Sequence, residues 1–191
     1  GNDTLSGGLG NDILTGGTGI DLFNLTGINA AADRDTVMDF SYADRVGLDI
    51  DFTSASTSAG STAAFTGYNF NASSTGNYAG DYAVTVPGSA PNWDVLEFTG
   101  LDQNRGDLSQ ATNGTELLKM FYRNNNGGTN IASLQFDSDA NIYLVAYDNN
   151  KGYVYLATGD RWVQAGDIVL VGTFDSVASG GFDAANFVMM Q

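Results

Sequence analysis

A nine-residue period governs the start of the chain. Gly7-Gly8-Leu9-Gly10-Asn11-Asp12-Ile13-Leu14-Thr15 is followed at once by Gly16-Gly17-Thr18-Gly19-Ile20-Asp21-Leu22-Phe23-Asn24, and Gly1-Asn2-Asp3-Thr4-Leu5-Ser6 supplies the last six positions of a preceding copy. Asp3, Asp12 and Asp21 therefore fall nine apart, and Leu5, Leu14 and Phe23 each follow their Asp by two. Glycine lets the chain turn without steric cost, and the short arm after each Asp reads as a strand with one inward side chain. Two nonamers make one coil, so turns on the same side recur every eighteen residues and Asp3 stacks on Asp21, at roughly the ~4.8 Å spacing of paired strands. A Gly-Asp linker has no reason to keep an apolar residue in register after every Asp.

Stacked carboxylates repel, and the composition narrows what can relieve them. The chain has 22 acidic and 7 basic residues, for a net charge of -15, and no His or Cys. That charge repels nucleic-acid phosphate and anionic lipid, so nucleic acid is excluded as a partner. Absence of thiolate and imidazole removes structural zinc, disulfides, Ser-His-Asp triads and Cys nucleophiles. Only oxygen ligands remain. Calcium accepts six to eight oxygens in irregular geometry, and glycine-rich turns expose backbone carbonyls beside each carboxylate. Asp outnumbers Glu twenty to two, the bias of tight turns rather than helices. No apolar run approaches the ~20 residues of a membrane-spanning helix, so no membrane insertion is expected.

The nonamers match the pattern G-G-x-G-x-D-x-U-x, with U a large apolar residue, and the chain resembles the C-terminal part of an RTX protein. The resemblance implies a parallel β-roll with several Ca2+ ions between stacked turns, held by carboxylates of Asp3, Asp12 and Asp21 and carbonyls of Gly1, Gly8, Gly10, Gly17 and Gly19. The frame continues at Asp35-Thr36-Val37 and Asp44-Arg45-Val46, again nine apart; the fourteen residues from Asp21 to Asp35 equal one nonamer plus five, making 27–32 a bulged loop. Residues 33–50 also look like a D-x-I-x-D-F-x-x-x-D-x-I segment found after RTX repeats. Asp35 and Asp44 are accordingly candidate ligands, although their turns lack glycine. Asp33, Asp39, Asp49 and Asp51 read as solvated charge.

Two regions are expected: 1–52, the RTX β-roll and its continuation, and 53–191, a β-rich cap with a secretion-signal region. Residues 53–80 are rich in Ser, Thr, Ala, Gly and Asn, and Pro87 and Pro91 mark turns. Residues 93–98 read as a strand, and Asn113-Gly114-Thr115-Glu116 before Leu117-Leu118 as the N-cap of a two-turn helix. Strands follow at 131–136, 142–147, 153–157 and 168–171, with turns at 148–152 and 158–160. Asp137-Ser138-Asp139 reads as a plain turn. Apolar residues on both parities of 142–147 call for a sheet covered on both faces, or one whose second face meets the β-roll. The expected fold is all-β: a parallel β-roll of calcium-binding nonapeptide repeats packed on a C-terminal antiparallel β domain with one or two short helices.

The last residues, 182–191, are similar to the uncleaved C-terminal signals of type I secretion, and serve equally as a closing strand. Together with the repeats, this resemblance implies a secreted or cell-surface bacterial protein whose partners are calcium and type I secretion machinery. The chain begins with Gly, so an upstream part is expected. Glu97 and Glu116, the only Glu residues, sit in no catalytic motif, and no enzyme activity is expected of this region. Competing readings are a surface-layer or adhesin module that self-associates, and a polysaccharide-binding face lined by Tyr68, Tyr78, Tyr82, Tyr143, Tyr153, Tyr155 and Trp162.

Overall fold

A computed structural model of the chain describes residues 1–25, 34–49, 65–69, 83–85, 95–110, 112–121, 133–136, 140–159 and 162–190. Five short strands come first: β1 (Thr4–Leu5), β2 (Ile13–Leu14), β3 (Leu22–Asn24), β4 (Asp35–Val37) and β5 (Arg45–Asp49). Then follow β6 (Phe65–Asn69), β7 (Ala83–Thr85), β8 (Val95–Thr99), helix α1 (Gly114–Met120), β9 (Ser133–Gln135), β10 (Ala140–Asp148), β11 (Lys151–Gly159), β12 (Trp162–Gln164), β13 (Ile168–Asp175) and β14 (Phe187–Met190).

The first five strands alternate between two sheets. β1, β3 and β5 form a parallel ladder that β14 extends, also parallel, while β2 and β4 form a second parallel ladder. Thr4 pairs with Leu22, eighteen residues on, but Ile13 pairs with Thr36 and Leu22 with Arg45, both twenty-three on. One five-residue insertion between β3 and β4 accounts for both longer steps, so the frame resumes at Asp35 and Asp44. The expected bulge at 27–32 lies outside the described residues, as do 53–64, Pro87, Pro91, Asp33, Asp51 and 137–139.

The inward positions follow the sequence period. Phe23, Val37 and Val46 are fully buried and Leu14 nearly so, whereas Ile13 on the opposite parity is exposed. With Leu25, Leu48, Phe187 and Met189 they form one core with Tyr143, Val145, Tyr147, Val154, Leu156 and Phe174 of the C-terminal strands. Ile142, Leu144, Ala146, Tyr153 and Tyr155 face the other way, into a second core with Leu117, Leu118 and Met120 of α1. Both parities of β10 are thus covered, one face by the repeats and the other by the helix.

The repeats share their sheets with the rest of the chain. β4 pairs in parallel with β13, so the second ladder runs on through a seven-stranded sheet ordered β2-β4-β13-β11-β10-β8-β6. β10, β11 and β13 are antiparallel, but β8 is parallel to β10 and β6 to β8. The C-terminal region is therefore mixed, not antiparallel throughout. The segment from β8 to β10 includes α1 and β9, enough chain for the crossover that parallel pairing requires. The β10–β11 hairpin closes over Asn149 and Asn150 alone, with φ of 49° and 60°. That is a two-residue turn of the primed kind that matches strand twist, tighter than the sequence suggests. Asn113 caps α1, its side chain accepting from the Thr115 N–H. The β9–β12 pair joins β7 in a separate three-stranded sheet.

Candidate calcium-binding turns

Each glycine turn has the same backbone. Gly8 and Gly10 adopt φ of 82° and 119°, and Gly17 and Gly19, nine residues on, 86° and 138°. L-residues with a Cβ avoid that region, so glycine at these positions sets the loop shape. The turns stack through their aspartates. The Asp3 N–H donates to Asp21 Oδ1 (2.8 Å), the Asp12 N–H to Asp35 Oδ1 (3.1 Å) and the Asp21 N–H to Asp44 Oδ1 (2.9 Å). Asp3, Asp21 and Asp44 line one side of the ladders and Asp12 and Asp35 the other. The carbonyls of Asp3, Asp12 and Asp21 accept from Leu22, Thr36 and Arg45.

Burial sharpens the electrostatic problem. Asp21, Asp35 and Asp44 are at most 5% exposed. Asp12 Oδ2 and Asp21 Oδ2 are buried and have no hydrogen-bond partner among the described residues. A buried carboxylate oxygen left unpaired is costly, so these atoms mark where a counter-charge belongs. The first glycine of each turn lets the carboxylates pack directly against the backbone. A Cβ on Gly7 would stand 2.7 Å from Asp35 Oδ2 and 2.9 Å from Asp12 Oδ2, and one on Gly16 2.5 Å from Asp21 Oδ2. Among the described residues no three carboxylates converge. An ion here would therefore need backbone oxygens to complete its shell, the role the resemblance implies for the carbonyls of Gly1, Gly8, Gly10, Gly17 and Gly19; that of Gly10 accepts from the Arg34 N–H.

Residues 1–23 match the family profile of the RTX calcium-binding nonapeptide repeat (4 copies). The N-terminal turns are RTX repeats. No curated protein and no solved structure matches the chain significantly. RTX nonapeptide repeats bind calcium, and the donor set fits that ion: hard oxygens, two of them, Asp12 Oδ2 and Asp21 Oδ2, buried without a partner among the described residues.

Several other side chains depart from expectation. Asp39 is not simply solvated charge: its Oδ1 and Oδ2 accept from the Gly16 and Gly17 N–H groups at 2.9 and 2.7 Å. Asp49 is half-buried, and its N–H donates to the Tyr143 hydroxyl. Asn2 and Asn11 extend the stacking, their Oδ1 atoms accepting from the Ile20 and Arg34 N–H groups. The repeated Asn-Asp dipeptide was the available signal for them. Asp44 Oδ2 accepts from Ser41 N–H (2.7 Å), so both its oxygens meet backbone donors.

Tyr143, Tyr153 and Tyr155 are at most 3% exposed and cannot line a sugar-binding face; Trp162, at 40%, is partly open. The side chains of Tyr68, Tyr78 and Tyr82 lie outside the described residues. Burial pushes the Tyr153 phenol up to about 12. Glu97 is buried within the sheet, its carboxyl pushed up by burial and accepting from the Tyr147 hydroxyl. Glu116 accepts from Lys119 and from the Asp107 N–H. The terminal segment forms a closing strand: Phe187 and Met189 are buried, and Phe182 packs against Phe40, Phe174 and Phe187 with ring centroids 5.2 Å apart in each case.

Proposed function

We propose that this chain is the calcium-binding C-terminal region of a secreted or cell-surface bacterial RTX protein, folding its N-terminal coils as a parallel β-roll when it meets calcium outside the cell. The observation that carries this reading is the pair of buried, unpartnered oxygens, Asp12 Oδ2 and Asp21 Oδ2, in turns shaped by the positive-φ glycines Gly8, Gly10, Gly17 and Gly19. Asp3, Asp12, Asp21 and Asp35 would supply carboxylates, and Gly1, Gly8, Gly10, Gly17 and Gly19 carbonyls. Bound calcium supplies positive charge between carboxylates that otherwise repel. Extracellular calcium modules work at ~0.1 to 1 mM, far above cytosolic free calcium, so the coils would stay open until export.

In this reading residues 182–191 act twice, as a type I secretion signal while the chain is unfolded and as the closing strand afterwards. Burial of Phe182, Phe187 and Met189 supports that order, because the folded chain hides them. The role in this reading is binding; both Glu residues are engaged in local structure. No helix among the described residues is long and apolar enough to cross a membrane. The test is circular dichroism of chelator-treated protein titrated with calcium. A gain of β-signal in the ~0.1 to 1 mM range is expected, with magnesium a poor substitute; an unchanged spectrum would reject the proposal.

A further inference from the structure

Residues 39–44 differ in kind from the glycine turns they stack beneath. The twenty-three-residue step that carries Asp21 to Asp44 carries Gly16 to Asp39, so an aspartate stands where the repeat has its first glycine. No glycine occurs in the turn. Its four carboxylate oxygens meet four backbone N–H groups: Asp39 those of Gly16 and Gly17, Asp44 those of Asp21 and Ser41. A nest of amides around a carboxylate is the electrostatic opposite of a cation site, and charge-assisted hydrogen bonds of this kind hold without a metal.

The same turn is fixed from below by the end of the chain. Asn186 Nδ2 donates to the carbonyls of Tyr42 (3.1 Å) and Asp44 (2.9 Å), the Tyr42 hydroxyl donates to Asp183 (2.5 Å), and the Phe40 ring packs on Phe182.

We infer that residues 39–44 are an ion-independent closing turn of the calcium array, with Asp39 as the positioning residue that ties the Gly16–Gly17 turn to the C-terminal body. The inference rests on the calcium reading of the repeats. It places the end of calcium binding on this side of the coils at the Gly16–Asp21 turn and gives Asp44 a structural role in place of a ligand's.

Calcium stoichiometry by isothermal titration, with amide hydrogen exchange of the calcium-saturated full chain, tests it. Asp39→Ala should bind as many ions as the unsubstituted protein, while Gly16 and Gly17 amides exchange about 10- to 100-fold faster, the scale of a lost hydrogen bond to a charged group. Asp39→Asn, which keeps one acceptor oxygen and is the milder change if the Ala variant misfolds, should keep the stoichiometry and lose protection at one of the two amides. Asp21→Asn should bind fewer ions. Loss of an ion in either Asp39 variant would make Asp39 a ligand and overturn the inference, as would unchanged exchange at Gly16 and Gly17. A protein that binds no calcium before substitution would reject the parent reading, and that result appears before any variant is compared.

Discussion

Asp12 and Asp35 stand in register on successive coils: the Asp12 N–H donates to Asp35 Oδ1 at 3.1 Å, while Oδ2 of each carboxylate lies against Gly7. The backbone thus draws together two groups of like charge, and both press so closely on Gly7 that a Cβ there would meet them within 2.9 Å. The hydrogen bond satisfies one oxygen of Asp35, but Asp12 Oδ2 stays buried without a donor. A cation is the group that completes such an arrangement.

Crowding Gly7 should push these carboxylates away from the ion. Gly7→Ala places a methyl within 2.9 Å of both carboxylates. The calcium midpoint of folding should rise about tenfold or more, the equivalent of ~1.4 kcal/mol. Calcium titration followed by circular dichroism reads this directly, and an unchanged midpoint would remove Gly7 from the site.

Carboxylates in the turns should matter more than carboxylates elsewhere. Asp12→Ala and Asp21→Ala should weaken calcium binding strongly, while Asp102→Ala, in a turn near α1 where it pairs with Arg105, should leave it unchanged. Isothermal titration of the three variants decides, and equal effects would reject the assignment.

The repeat was legible in the sequence because its chemistry is local. Glycines at fixed offsets force the turn, and Leu14 and Phe23 announce the inward face; even the resumption of the frame at Asp35 and Asp44 follows from counting. What local pattern could not announce was long-range pairing. Nothing near Phe187 says that it will pair with Val46, or near Asp35 that it will pair with Gly172. Asp39 was hidden for the same reason, since its partners are twenty-two and twenty-three residues away. The aromatic residues misled because alternation assigns a side chain to a face without saying whether that face is covered.

Core substitutions should act independently of calcium occupancy. Phe23→Asp buries a charge between the two sheets and should prevent folding of the coils even at saturating calcium. Phe182→Ala should cost about 3–5 kcal/mol, because it empties the centre of the cluster formed by Phe40, Phe174 and Phe187. Chemical denaturation in calcium checks both, and a Phe182→Ala loss below ~1 kcal/mol would contradict the packing described.

Glu97 gives stability a pH dependence opposite to that of most carboxylates. Burial raises its pKa in the fold, so the native state favours the protonated acid. Its contribution is complete below the unfolded-state value of ~4.3 and is lost as pH rises through the raised folded value. Glu97→Gln should remove this component and flatten the stability profile over that window. A profile identical to that of the unsubstituted protein would show that Glu97 ionises in the fold as easily as in the unfolded chain.

Export can be separated from folding by moving the terminus. Deleting 186–191 would also remove β14, so loss of secretion alone is ambiguous. Fusing 182–191 to an unfolded passenger in a host with type I machinery should carry the passenger out of the cell. A passenger retained in the cytosol would leave the segment as a closing strand only.

Amide hydrogen exchange at Asp3, Asp12 and Asp21, with and without calcium, decides whether the ion folds the coils. These N–H groups bond to Asp21, Asp35 and Asp44 across the coils, whereas the β10–β11 amides belong to the long antiparallel hairpin. Calcium should protect the three aspartate amides by orders of magnitude and chelation should release them, while the hairpin stays protected in both states. Equal protection of Asp3, Asp12 and Asp21 in calcium and in chelator would show that the coils fold without the ion, and would contradict the account.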